Sequence, residues 1–330
     1  MTWLTSSASS LVLGLVAAAP ADIFTPHGTP ARFIFGLSVF VLSITLAIFL
    51  VAGGTLLYVV IRYRQRPNEP HREPAQIYGS TQIELSWTVV PLLIVVILFL
   101  TTARVIFNTE FASKPANALD IVVIGHQYWW EFRYPKLGIV TANELHIPVG
   151  DQTPAYLEMS SADTVHSFWV PQLAGKMDVI PNRRNTMWLD AEAPGLFLGQ
   201  CAQYCGTQHA KMLLRVYSQS APDFDAWAAH QKQPAQSDPT TQAGEAVFLR
   251  NACINCHTIS GTIANGRFGP DLTHLATRDT IASGAVPNTP ENLRKWIDDP
   301  AQFKPGSLMP PMHLSPADLD AVTAYLVKLH

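Results

Sequence analysis

The sequence predicts a multi-domain membrane protein: an N-terminal transmembrane α-helical hairpin, an all-β domain and a small all-α domain. Three observations carry this expectation. Two long uncharged runs fall within residues 33–103. Short β-prone runs separated by Pro, Gly, Asn and Asp fill residues 119–218. Residues 242–330 carry helix-start signals and an apolar helical face. Composition agrees, because a chain of 330 residues with 48% hydrophobic and only 14% charged side chains is too apolar for an ordinary soluble protein.

Residues 1–21 read as a signal peptide, with an apolar run at 11–16 and small residues up to Ala21. No basic stretch precedes that run, so an uncleaved apolar N-terminus stays open as the alternative. Residues 22–108 form the hairpin. Its first span, about 33–61, exceeds the roughly 20 residues a bilayer crossing needs, and the second, about 85–103, is just long enough. Arg62, Arg64, Arg66 and Arg72 lie between the spans, so the positive-inside rule puts that loop in the cytoplasm and all that follows the hairpin outside it.

Residues 109–218 form the β domain, with strands expected at DIVVI, TPAYLEM, NTMWLD and MLLRVYS. The Ala-, Gln-, Ser- and Pro-rich stretch 219–241 reads as a partly anchored linker. In the third domain, 242–330, Thr289 and Pro290 open one helix; Ser315, Pro316 and Asp318 open the last. Leu319, Val322, Leu326 and Leu329 give that last helix an apolar face.

The net charge of -3 leaves no polybasic surface and argues against a nucleic-acid partner. The four cysteines fall as two close pairs, unlike a disulfide scaffold. In CINCH, Cys253 and Cys256 stand one helical turn apart with His257 adjacent, the arrangement that attaches haem covalently and ligates its iron. A thioredoxin-type CxxC would not need His257 and would sit in a βαβ pattern that is missing here. Met309, in a proline-bounded loop ahead of the last helix, is favoured over Met312 as the second axial ligand. His274 and His313 are expected to be surface or polar-pocket residues.

The second pair lies in GQCAQYCGTQHAKM, which gathers Cys201, Cys205, His209 and Met212, with His166 upstream. Thiolates, imidazoles and a thioether favour copper electron-transfer chemistry over hard cations. Two cysteines allow both sulfurs to bridge two ions, so that one electron is shared and reorganisation on transfer is small. A Cys2His2 zinc site is the alternative; it would leave Met212 idle.

On these motifs, residues 242–330 resemble a class I cytochrome c domain, and residues 33–218 resemble subunit II of the haem-copper cytochrome c oxidases. The resemblance implies a cupredoxin-like fold holding binuclear Cu-A on His166, Cys201, Cys205, His209, Met212 and the backbone carbonyl of Gln203. The family usually has Glu at that last position, and the side chain also helps to bind magnesium at the subunit I interface; Gln203 keeps the carbonyl but puts the magnesium in doubt. Asp178 matches the family's interface Asp. Tyr128, Trp129 and Trp130 fall where the family has its electron-accepting aromatic patch, with Tyr128 in place of the usual Trp, and a core role for Trp130 is equally expected. Glu84, at the start of the second span, is the candidate acid for proton uptake.

The function implied is electron transfer from an upstream cytochrome or quinol-oxidising complex to haem c, then to Cu-A, then to subunit I for proton-coupled oxygen reduction. Subunits I and III are the expected membrane partners, and the two cofactor domains face the periplasm. A Cu-A-bearing nitric oxide reductase and a zinc-binding structural or assembly protein are the other readings.

Overall fold

The protein was analysed as a computed structural model that describes residues 22–66, 73, 75–236 and 238–330. The predicted signal segment and Arg72 lie outside these residues. Two long helices come first, α1 (Thr29–Arg62) and α2 (Thr81–Thr109). Their most apolar windows have mean hydropathies of 2.7 and 2.6, and none of either window is buried within the chain. Apolar side chains exposed on this scale need another apolar phase, and lipid or a partner's membrane helices supply it. Both helices run past the predicted spans because their polar ends are also helical.

The start of α1 is fastened to the β domain. The buried carboxylate of Asp190 accepts the Thr29 amide and the Thr29 hydroxyl, each at 2.6 Å. A carboxylate there satisfies orphan N–H groups and suits the positive end of the helix dipole. Gly28 is needed for this approach, since a Cβ on it would lie 2.5 Å from Leu173 O.

Ten strands follow: β1 (Leu119–His126), β2 (Trp129–Tyr134), β3 (Ile139–Ala142), β4 (Glu144–Pro148), β5 (Ala155–Ser161), β6 (His166–Trp169), β7 (Met177–Val179), β8 (Asn185–Leu189), β9 (Gly195–Cys201) and β10 (Leu213–Gln219). They form two five-stranded sheets, ordered β3-β2-β1-β5-β8 and β4-β10-β9-β6-β7. The β1–β5 and β10–β4 pairs are parallel; the other pairs are antiparallel. Trp130, Phe132, Tyr134, Leu157, Met159 and Phe168 fill the space between the sheets. All four predicted strand segments fall within this sandwich.

The predicted linker is partly a helix. Helix α3 (Ala221–Gln231) is capped by Ser220 and buries Phe224 and Ala228 in the β-domain core, with Trp227 stacked on His146 at 4.2 Å between ring centres. Polar and alanine-rich composition had concealed its Phe224, Trp227, Ala228 face. The connection therefore shortens to residues 232–241, and part of it is tied to the third domain, where Ala235 N donates to Ser260 O at 2.9 Å and Gln233 O lies 3.0 Å from His274 Nε2.

The third domain contains α4 (Gln242–Arg250), α5 (Cys253–Cys256), a short hairpin of β11 (Thr280–Ile281) and β12 (Val286–Pro287), α6 (Pro290–Asp298) and α7 (Pro316–Leu326). Thr289 and Ser315 cap α6 and α7 as expected. The small hairpin is an addition to the predicted helices. Helices α4 and α7 cross so closely that a Cβ on Gly244 would sit 2.0 Å from Ala321 O.

Candidate functional site

The β9–β10 connection is closed at its base by the Cys201 amide, which donates to Met212 O at 3.0 Å. Within it the backbone reverses through Gly206, at φ +131°, bringing Cys205 back beside Cys201. The two sulfurs are 3.9 Å apart and both are buried. A disulfide requires about 2.05 Å, so these are free thiols facing one another. His166, at the start of β6, places Nδ1 3.9 Å from the Cys201 sulfur. On the other side His209 Nδ1 and Met212 Sδ each lie 3.8 Å from the Cys205 sulfur, and Gln203 O lies 3.1 Å from that of Cys201.

The structure thus brings all six predicted copper-site residues together. Two central sulfurs flanked by one imidazole each, with a thioether at one end and a carbonyl at the other, fit a thiolate-bridged pair of soft ions. A single tetrahedral ion would have no use for the fully buried Met212. The hydrogen bond between the two sulfurs holds the Cys201 thiol well below the usual range, against the effect of burial.

Two further residues belong to this site and were not found by sequence reasoning. Asp163 Oδ1 lies 2.7 Å from His166 Nε2, which fixes the ring so that Nδ1 faces the sulfurs. Burial works to raise the Asp163 carboxyl, but its bonds with His166, Thr164 and Gln127 outweigh this and hold it low. The spacing of Asp163 three residues before His166 was the available signal. Gln127 donates its side-chain amide to Cys205 O at 2.6 Å; nothing local in the sequence marks it.

The second constellation surrounds a cavity in the third domain lined by Cys253, Cys256, His257, Met309 and Met312. The His257 Nδ1 lies 2.8 Å from Pro270 O, which leaves Nε2 as the lone-pair nitrogen. Burial lowers the pKa of this imidazole and keeps it neutral, the form that ligates iron. Gly269 has no room for a side chain, since its Cβ would lie 2.6 Å from the imidazole. Two thiols, a tautomerically fixed imidazole and a thioether around one apolar-walled space fit a covalently held haem. His274 is buried and bonded to Gln233 O, whereas His313 is exposed; both stay outside the cavity lining.

The aromatic trio is split. Trp130 is 0% exposed and packs against Phe168 and His166, with ring centres at 5.6 and 6.0 Å. Trp129 stacks on His126 at 4.2 Å, and the Tyr128 hydroxyl accepts the Thr207 amide at 3.1 Å. Tyr128, Trp129 and Gln127 also line the third-domain cavity, so one cavity is walled by both domains. Lys304 Nζ donates to Tyr128 O at 2.8 Å and Gln208 donates to Pro305 O at 2.6 Å, which closes the join beside the copper-site loop. Asp178 is exposed on β7, paired in register with Ser167 next to His166. Glu84 is exposed in the first turn of α2, at the end of the hairpin away from the β domain.

Three family models match the chain: "Cytochrome C oxidase subunit II, transmembrane domain" over residues 28–105, "Cytochrome C oxidase subunit II, periplasmic domain" over 138–219, and "Cytochrome c" over 241–330. Among similar proteins, a cytochrome c oxidase subunit 2 from Alkalihalophilus pseudofirmus is 35% identical over 92% of this chain and 89% of its own. One from Bacillus sp. (strain PS3) is 35% identical over 81% of this chain and 80% of its own. The solved periplasmic domain of subunit II of the Bradyrhizobium japonicum cytochrome oxidase is 28% identical, covering 36% of this chain and 96% of its own, at a TM-score of 0.34.

Proposed function

Because the chain belongs to the cytochrome c oxidase subunit II family, with a cytochrome c domain fused at its C-terminal end, we propose that it carries electrons through two of its own centres to subunit I. The oxidase such a subunit serves is an oxidoreductase. When bound, the covalent haem and the copper pair each exchange one electron, and the copper pair spreads that charge over two ions. The chain's own residues hold the two places beside each other, with both copper-site sulfurs buried.

One observation carries the reading: the haem cavity is walled on one side by Cys253, Cys256 and His257 and on the other by Gln127 and Tyr128. Those two residues in turn bond to the copper-site loop, Gln127 at Cys205 O and Tyr128 at Thr207. Covalent attachment raises the local concentration of the haem beside its acceptor and makes a diffusing carrier unnecessary for this step. Upstream, a cytochrome or quinol-oxidising complex supplies the electrons. Downstream, subunit I reduces oxygen with proton translocation, subunit III being the further membrane partner.

Of the remaining site residues, Trp130 serves as core, while Tyr128 and Trp129 line the cavity that would hold the haem. Glu84 is the proton-uptake acid at the cytoplasmic end of α2, and Asp178 is a polar contact for subunit I. Gln203 leaves that contact one carboxylate short for magnesium. Metal and haem analysis of the purified full chain, with paramagnetic resonance, tests the assignment. The expected result is two coppers with a mixed-valence signal and one covalent haem per chain; zinc in place of copper would overturn it.

A further inference from the structure

We propose that Glu144 is a positioning residue for haem-to-copper electron transfer: its side chain, in the β domain, seats the 279–283 turn that walls the haem cavity, and seats it more firmly when the carboxyl is neutral. This rests on the electron path proposed above. Glu144 begins β4 and is 4% exposed. Its Oε1 accepts the amides of Asp279 at 3.0 Å and Thr280 at 3.2 Å, with the Thr280 hydroxyl at 3.4 Å, all from the third domain. Acidic side chains are rarely buried without a cation, because desolvating the charge is costly. Among the described residues no ion pair involves Glu144.

The charged neighbours are engaged elsewhere. Arg215, opposite Glu144 on β10, donates to the Thr280 hydroxyl at 2.8 Å. Arg278, which lines the cavity, donates to Asp271 O at 2.5 Å. Tyr217, also on β10, donates its hydroxyl to Asp279 Oδ2 at 2.5 Å. His146, on the same strand as Glu144 and stacked on Tyr217, is held neutral by burial. The Asp279 and Thr280 donors all use Oε1, so a proton on Oε2 leaves the seat intact.

The seated turn reaches both centres. Thr280, Ile281, Ala282 and Ser283 line the haem cavity. The Ser283 hydroxyl donates to Leu213 O at 2.9 Å, and the Leu213 amide donates to Ser283 O at 3.2 Å. Leu213 directly follows the copper-site residue Met212. A lost seat therefore loosens the join between the two centres without removing a ligand of either.

Burial pushes the Glu144 carboxyl up to about 7, the Arg278 charge opposing and the Asp279 charge assisting. Out of the seat, the group returns toward the ordinary carboxylate range. The seated state then holds more protons than the unseated one. Seating is strongest below the ordinary range, weakens as pH rises, and has lost the whole advantage above the seated value near neutrality.

The test uses the assembled oxidase, loaded with copper and haem, as wild type, Glu144→Gln and Glu144→Ala, with both centres' spectra reporting that the chain has folded. Amide exchange over 279–283 and 213–217, corrected for intrinsic rates, reads the seat. Single-electron photoreduction of the haem reads transfer to copper. In the wild type, protection and transfer rate should fall together as pH rises through neutrality. Glu144→Gln should hold the low-pH behaviour at every pH, since its amide oxygen accepts the same bonds without charge. Glu144→Ala leaves those donors unpaired and should exchange about tenfold faster or more, with slower transfer at every pH.

A Gln variant with the wild-type pH profile, or an Ala variant with wild-type protection and rate, would overturn the proposal. No transfer from haem to copper in the wild type would instead overturn the electron path, while amide exchange still decides the seat.

Discussion

Met309 and Met312 stand three residues apart and both line the haem cavity, yet their packing differs. Met312 also packs against the buried core of the third domain, where Val322 and Leu326 lie, and Met309 does not. That favours Met309 as the thioether free to turn toward iron. Met309→Leu should lower the haem reduction potential, because loss of a thioether ligand removes what raises it. Met312→Leu is a near volume-conserving core change costing less than about 1.5 kcal/mol and should leave the potential unchanged. Redox titration of both variants checks this; a fall with Met312→Leu alone would reverse the assignment.

At the copper site, Asp163 holds His166 by its far ring nitrogen. Asp163→Ala should weaken copper binding by about 10–100-fold, a usual consequence of losing such an orienting partner. The β sandwich should melt at nearly the same temperature, since Asp163 is partly exposed. Copper competition titration and thermal melting separate the two effects. The ligands themselves were legible in the sequence because most lie on one short loop, where spacing alone limits what they can do. Asp163 was within reach of the same reasoning, three residues from His166. Gln127 and Glu144 were not, because each is brought to its partners by sheet register and domain contact across 78 and 135 residues.

At the scale of elements, hydropathy and capping residues identified both membrane helices and the starts of α6 and α7. Their ends were less legible, because polar first turns such as that of α1 are held by tertiary partners, here Asp190. Helix α3 was read as linker since Phe224 and Trp227 are its only large apolar residues, and its stability comes from Trp227, Phe224 and Ala228 packing on the sandwich. The α4–α7 crossing depends on one residue without a side chain. Gly244→Val forces a Cβ into the Ala321 carbonyl and should destabilise the third domain by about 1–3 kcal/mol or more. Thermal unfolding followed at the haem should show the loss, with the copper-site domain unaffected. An unchanged haem-domain melt would mean that the crossing relaxes without cost.

For the whole molecule, the sequence showed three parts in the right order and a connection between the last two. It did not show that the connection shortens to residues 232–241, or that the third domain lies against the copper-site loop. That arrangement arises from single groups far apart in the chain: Lys304 on Tyr128 O, Gln208 on Pro305 O, and Glu144 on the 279–283 turn. The two candidate sites consequently sit side by side beyond the apolar hairpin, the copper-site domain being fastened to α1. The most direct test is to delete residues 242–330 from the assembled oxidase and follow copper reduction by the physiological donor. The expected result is a fully loaded copper centre whose reduction is at least about tenfold slower, because the local haem is gone; a full copper load with undiminished turnover would contradict it.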